Sequence, residues 1–228
     1  MPDFDSSMSV AVAIPAFNAE RFIGQALASV LAQSYPVDDI VVIDDGSDDA
    51  TAEAALAAGP RIRVLRQANA GIGVARSRAV AATQGEILVL LDADDLLTPN
   101  SIGCRVQALQ DNPRLDVAFG HVRHFTEHAA DAPVPLDPPQ PAHVLSSMLV
   151  RRAAYERVGP FASGLRVAEA LDWMLRAHEL GLREMTLPDQ VLWRRVHGAN
   201  NSITNRASLS EFPRALKASL DRRRAHAD

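Results

Sequence analysis

The chain has 228 residues, 47% of them hydrophobic and 22% charged, the balance of an ordinary soluble globular protein. It is long enough to bury well over half of its unfolded surface, so folding needs neither disulfide nor metal. The net charge of −5, from 28 acidic against 23 basic residues, argues against a nucleic-acid binder. The lone cysteine, Cys104, excludes an internal disulfide and a cysteine-built zinc site. Apolar runs such as Ile87 to Leu91 are too short to span a bilayer, so no transmembrane segment is expected. Met1 to Ser9 is polar with no hydrophobic signal core, so a cytoplasmic location, or the inner face of a membrane, is expected.

Up to residue 98 the chain alternates in period. Val10 to Ile14 is a buried-strand run that ends at Pro15. Glu20 to Gln33 places Phe22, Ile23, Ala26, Leu27, Val30 and Leu31 on one helical face. Ile40 to Ile43 is a second strand, stopped by Asp44-Asp45-Gly46-Ser47. A helix follows to Ala58, closed by Gly59-Pro60, then a short strand from Ile62 to Arg66. Gly71 to Thr83 reads as a third helix, and Ile87 to Leu91 as a fourth strand ending in Asp92-Ala93-Asp94-Asp95. Continuously apolar strands alternating with helices predict an α/β fold with a parallel sheet covered on both faces.

The second half is less regular. Helices are expected over Pro99–Gln110, Ala168–Leu180 and Ser208–Arg224, and strands over Val117–Phe125, His143–Val150 and Val191–Val196. The proline-rich stretch Ala129 to Pro141 has no periodicity and reads as an exposed loop.

Ligands of an open parallel sheet bind at the carboxyl ends of its strands. Three strand ends carry unusual clusters: Pro15-Ala16-Phe17-Asn18, Asp44 to Asp49, and Asp92 to Asp95. The seven carboxylates of the last two clusters would repel strongly without a cation among them. Mg²⁺ or Mn²⁺ is the natural partner, because hard divalent ions prefer oxygen ligands. Asp48 and Asp49 read equally well as solvated helix caps. Asn69-Ala70-Gly71-Ile72-Gly73-Val74-Ala75-Arg76 is a glycine-rich approach to a helix N-terminus that suits an anion, with Arg76 in reach of a phosphate oxygen. It matches neither a Rossmann fingerprint nor a P-loop, and a nucleotidyltransferase is disfavoured because no lysine-rich triphosphate loop is present.

In this order the motifs resemble a family-2 inverting glycosyltransferase with the GT-A fold. The matching residues are Pro15 and Asn18; Asp44-Asp45-Gly46-Ser47; Asn69, Gly71, Ala75 and Arg76; Asp92-Ala93-Asp94-Asp95; and, later, Arg151 with Val158-Gly159-Pro160-Phe161. The resemblance implies one GT-A domain over 1–228, with a mostly parallel central sheet flanked by helices and a mixed acceptor part. Residues 10–98 would bind the nucleotide sugar, 99–205 the acceptor, and 206–228 would form a C-terminal helix. It implies a UDP-sugar donor, a hydroxyl acceptor and a role in polysaccharide or glycoconjugate biosynthesis. Asp45 would hydrogen-bond the base and Pro15 line its pocket, with Asn18 and Asn69 beside them. Asp92 or Asp94 would contact the ribose, Asp94 or Asp95 would hold the metal, and Arg76 would assist the base or diphosphate.

An inverting displacement needs a base for the acceptor hydroxyl. The family usually places an Asp after a Glu at the start of the acceptor-side helix; here the run is Glu169-Ala170-Leu171-Asp172-Trp173, so Ala170 occupies that position. Glu169 is the first candidate in its stead and Asp172 the second, although Asp172 also reads as a first-turn acid favoured by the helix dipole. Ala170 equally motivates a different reading, a catalytically impaired sugar-nucleotide-binding protein. Late in the chain, Arg194-Arg195-Val196-His197 resembles a basic family segment in which His197 would complete the metal sphere or contact the diphosphate. Arg194 and Arg195 should face opposite ways on a strand. The basic end Arg222-Arg223-Arg224 allows peripheral contact with an anionic membrane, against a solvated tail as the plainer reading.

Overall fold

The computed structural model describes residues 8–127, 133–198 and 206–225. In chain order the elements are β1 Val10–Ala16, α1 Glu20–Leu31, β2 Asp39–Asp44, α2 Thr51–Ala57, β3 Ile62–Arg66, α3 Ile72–Ala82, β4 Ile87–Leu90, β5 Leu96–Leu97 and α4 Ser101–Asp111. There follow β6 Val117–Glu127, β7 Pro133–Pro135, β8 Gln140–Pro141, a 3₁₀ turn at Leu145–Ser147, β9 Leu149–Arg151, α5 Arg152–Val158, α6 Glu169–Glu179 and β10 Glu184–Arg195. A second 3₁₀ turn, Arg206–Ser210, leads into α7 Glu211–Ala225.

The ten strands form one sheet in the order β3-β2-β1-β4-β9-β6-β10-β5, with β7 and β8 on β6. Strands β3, β2, β1 and β4 are mutually parallel, and β9 enters antiparallel between β4 and β6. The sheet is thus parallel in its first half, as the apolar runs predict, and mixed in its second. Alternation along β1 explains its two-sided burial. Val10, Val12, Ile14 and Ala16 face the core under α1, α2 and α4, while Ala11 and Ala13 face α3, α5 and α6. Chain order runs outward from β1 through β2 to β3, then returns to place β4 on the other side of β1. The carboxyl ends of β1 and β4 therefore bound a topological switch point, the preferred crevice for ligands. The acidic ends of β2 and β4 are not adjacent, because β1 lies between them.

Several elements differ from expectation for local reasons. The strand expected over His143–Val150 is a 3₁₀ turn followed by β9, since Leu145 to Ser147 bury their side chains without extended pairing. The proline-rich segment is not all loop: Pro133–Pro135 and Gln140–Pro141 pair with β6, as edge positions tolerate a missing N–H; residues 129–132 lie outside the described residues. Strand β10 starts at Glu184, well before Val191. Its polar first half carries Pro188, and its register with β6 shifts between Thr186 and Leu192. Helix α5 and the two-residue β5 are too short to show a period.

Candidate active site

Three loops meet at the switch point. Pro15 is buried within β1, opposite Ile43. Asn18 sits at φ 49°, a left-handed conformation that asparagine tolerates. Its N–H donates to Ser47 Oγ (2.9 Å) and its Oδ1 accepts from the Asp48 N–H (2.9 Å), so the first two strand-end loops are tied together. Asp44 accepts from the Ser47 N–H (2.9 Å) and pairs with Arg66 (3.0 Å). Asp45 is 3% exposed. Its carboxylate accepts from Gln67 Nε2 (2.6 Å) and the N–H groups of Ala70 and Gly71 (2.9 Å each). Asp45 thus anchors the loop that leads into α3. Gly46 lies at φ 77°, and a Cβ there would stand 2.8 Å from the Asn69 backbone nitrogen, so the two loops pack backbone to backbone with Asn69 exposed. Asp49 accepts from the N–H groups of Glu20 and Thr51 (3.1 Å each) at the starts of α1 and α2, which is the capping alternative. Protein groups therefore relieve much of the repulsion that the sequence assigned to a metal.

Arg76 is 4% exposed, and each terminal nitrogen of its guanidinium meets a carboxylate: Nη2 lies 2.5 Å from Asp92 Oδ1, and Nη1 pairs with Glu169 Oε1. It does not stand open to a phosphate, as the sequence led one to expect. Burial alone would lower its pKa, but Asp92 and Glu169 outweigh that and raise it. Asp92 remains partly exposed at the crevice, and its N–H donates to Ser146 Oγ (3.1 Å).

The turn after β4 is held by Arg195. This side chain is 2% exposed and sandwiched between the rings of Phe22 (4.9 Å) and Phe125 (4.7 Å). Its Nε donates to the Asp94 carbonyl (2.7 Å), and its backbone N–H to Asp95 Oδ1 (3.0 Å). Arg194 is exposed, so the two arginines do diverge. Asp95 is 4% exposed, and burial, with Asp94 and Asp92 nearby, pushes its pKa well above the ordinary value. Asp94 Oδ2 lies 2.9 Å from His197 Nε2, and the imidazole packs on Phe22 at 4.6 Å.

The two candidate bases differ sharply. Asp172 is engaged by two arginines, Arg176 at 2.9 Å and Arg222 at 3.6 Å. Glu169 has one oxygen on Arg76, while its buried Oε2 has no hydrogen-bond partner among the described residues. Burial raises the Glu169 pKa, partly offset by Arg76. Ala170 is partly buried against the core that holds Trp173.

Comparison with known proteins decides the family. A model described as glycosyl transferase family 2 matches residues 11–166. The chain belongs to glycosyl transferase family 2. An uncharacterized glycosyltransferase of Nostoc sp. (strain PCC 7120) is 27% identical over 243 residues, covering 94% of this chain and 73% of that protein. The uncharacterized glycosyltransferase YibD of Escherichia coli K12 is 35% identical over 118 residues, half of this chain and 34% of its own length. Among solved structures, Staphylococcus aureus TarS 1-349 in complex with UDP-GlcNAc aligns with TM-score 0.70 at 21% identity, covering 85% of this chain and 60% of that one. The mannosyltransferase PcManGT of Pyrobaculum calidifontis, in complex with GDP-Man and Mn²⁺, aligns with TM-score 0.67 at 20% identity, covering 86% and 61%. The chain thus spans about a third of YibD and under two thirds of these two structures. These likenesses establish the GT-A fold.

The family-2 crevice contains two residues that the sequence reading did not single out as site residues. Phe22 belongs by periodicity to the core face of α1, and Ser146 carries no motif, yet they brace His197 and Asp92. Among the described residues no group of three or more His, Cys, Asp or Glu forms a ready-made metal cage. The Asp94 oxygen and His197 nitrogen nevertheless converge, and a divalent ion bound through one or two protein ligands, with substrate phosphates completing its sphere, needs no more. The donor set fits such an ion.

Proposed function

We propose that this chain transfers a sugar from a nucleoside diphosphate donor, UDP before GDP, to a hydroxyl acceptor with inversion at the anomeric carbon. The observation that carries the reading is the convergence of His197 on Asp94 in the turn after β4, at the switch point of a family-2 sheet. The complexes of the structural neighbours with UDP, UDP-GlcNAc and GDP-Man support a nucleotide-sugar donor.

The nucleotide base would lie against the wall built by Pro15, Asn18, Asn69 and the loop that Asp45 anchors. Asp92 would reach the ribose, and Arg76 would fix Asp92 from behind. Asp94 and His197 would hold Mn²⁺ or Mg²⁺, with Asp95 and Arg195 fixing their turn. The bound ion would supply Lewis-acid stabilisation to the leaving diphosphate. Glu169 would take the hydroxyl proton as the acceptor oxygen bonds to the anomeric carbon and the bond to diphosphate breaks. A carboxylate oriented by Arg76 and raised in pKa suits that task. A second reading, a sugar-nucleotide-binding protein with impaired transfer, is favoured by Ala170 and by the 4% exposure of the Glu169 side chain.

Melting temperature with a panel of nucleoside diphosphates, with and without Mn²⁺, tests the shared part. Saturation at 100 times Kd stabilises the native state by about 2.7 kcal/mol. The expected result is a rise with UDP that depends on Mn²⁺ and that Asp94→Ala abolishes. No shift with any nucleotide would contradict both readings.

A further inference from the structure

The C-terminal helix α7 presents two different faces. One face docks: Glu211, Ala215 and Ser219 are 7%, 3% and 2% exposed at successive i+4 positions. Arg222 continues that seam by donating to both oxygens of Glu179 on α6 (2.7 and 3.1 Å). Leu216 and Leu220 each follow a seam residue by one position, which rotates them about 100° around the axis. They are 48% and 46% exposed, and Leu209, in the turn before α7, is 46% exposed. Lys217, Arg223 and Arg224 are exposed beside these leucines, and Arg214 is exposed one turn before. Asp221 is the single exposed acid in α7, since Glu211 is buried. A basic-rimmed leucine stripe on a chain of net charge −5 is a local reversal of the protein's charge.

We propose that α7 is a peripheral membrane-binding helix that lays its Leu216–Leu220 face on an anionic lipid surface. An amphipathic helix of this kind rests in the interface, with leucines among the acyl chains and basic side chains at the headgroups. Charge selects this occupant over a second copy of the chain. A two-fold contact through the same stripe would bring the basic rim of one copy, Arg214, Lys217, Arg223 and Arg224, against the basic rim of the other. The helix is also coupled to the crevice. The Glu211 carboxylate accepts from the N–H groups of Arg166 (2.7 Å) and Val167 (3.0 Å), in the loop that enters α6 just before Glu169. A docked α7 would hold the acceptor half next to the lipid surface. The proposal stands on the surface alone and survives if the donor chemistry differs.

Co-sedimentation of the full chain with phosphatidylglycerol/phosphatidylcholine vesicles, and with pure phosphatidylcholine vesicles, tests it. The expected result is pelleting with the anionic vesicles only, weakened by salt. Leu216→Ser with Leu220→Ser should reduce the bound-to-free ratio by about tenfold or more. Lys217→Glu with Arg223→Glu and Arg224→Glu should do the same by a separate route. The leucine variant spares the docking seam, so its circular dichroism and melting temperature should match the parent; Arg223 lies in the field of Glu179, so the charge variant is read only where its circular dichroism matches the parent. No pelleting with anionic vesicles, or equal pelleting of parent and both variants, would overturn the proposal. So would a concentration-dependent dimer that the leucine variant dissolves.

Discussion

Glu169→Gln is expected to lower kcat by about 10²- to 10⁴-fold, the usual worth of a positioned general base, while Kd for the donor nucleotide stays nearly unchanged. The amide keeps the volume of Glu169 and a hydrogen bond to Arg76 but accepts no proton. The pH profile gives a readout that a merely structural role would not move. Burial raises the Glu169 pKa above the ordinary glutamate value. The base works deprotonated, so activity falls as pH drops through that raised value. The acidic limb of kcat/KM should therefore lie above the usual glutamate range and should vanish in the variant. Ala170→Asp added to Glu169→Gln places a carboxylate where the family usually carries one, and should recover part of the lost rate. Parent-like turnover in Glu169→Gln would remove Glu169 as the base.

Arg76→Met is expected to cost about 3–5 kcal/mol of folding stability, the range for breaking a buried ion pair from one side. The cost falls mainly on Glu169, whose side chain is 4% exposed, and less on Asp92, which is 34% exposed and partly solvated. Without its cation, the buried Glu169 carboxylate binds a proton more readily in the folded state than in the unfolded one. Stability then falls as pH rises through that interval, so the deficit against the parent is largest at neutral pH and shrinks toward acid. Urea denaturation at two pH values checks both size and sign. Arg76→Lys keeps the charge but not the two-pronged geometry, and should recover only part of the loss. A parent-like midpoint for Arg76→Met would show that the pair is not a structural tie.

The first half of the chain was legible because its physics is local. The runs in β1, β2 and β4 are buried on both faces, so they show as unbroken apolar segments, and the acids that stop β2 and β4 mark the carboxyl edge of the sheet. The clusters at Asp92–Asp95 and Arg194–His197 could likewise be placed by their strand ends. Their partners could not. Arg76 and Glu169 are 93 positions apart, and Asp94 and His197 are 103 apart, separations that leave no periodic signal. The sequence therefore led to an Arg76 waiting for a phosphate and a Phe22 lost in the core. Folding gives Arg76 two carboxylates and Phe22 a ring contact with His197. The partners of Asp45 are equally remote in sequence: its carboxylate holds the Gln67–Gly71 loop, 22 to 26 positions away. In the second half β10 was recognised only where Val191 and Leu192 enter the core, since its first part is exposed and polar.

Turnover of a sugar-nucleotide donor separates a transferase from a binding protein. The chain is mixed with UDP-sugars and, separately, GDP-sugars in the presence of Mn²⁺, with water as the fallback acceptor. Proton NMR follows nucleotide release and the anomeric signal of the freed sugar. The expected result is slow UDP release, with the first-formed sugar inverted relative to the donor, and loss of that release in both Glu169→Gln and Asp94→Ala. A nucleotide that binds with Mn²⁺ while no UDP- or GDP-sugar is ever cleaved, even after Ala170→Asp, would contradict the transferase reading and leave a binding protein in its place.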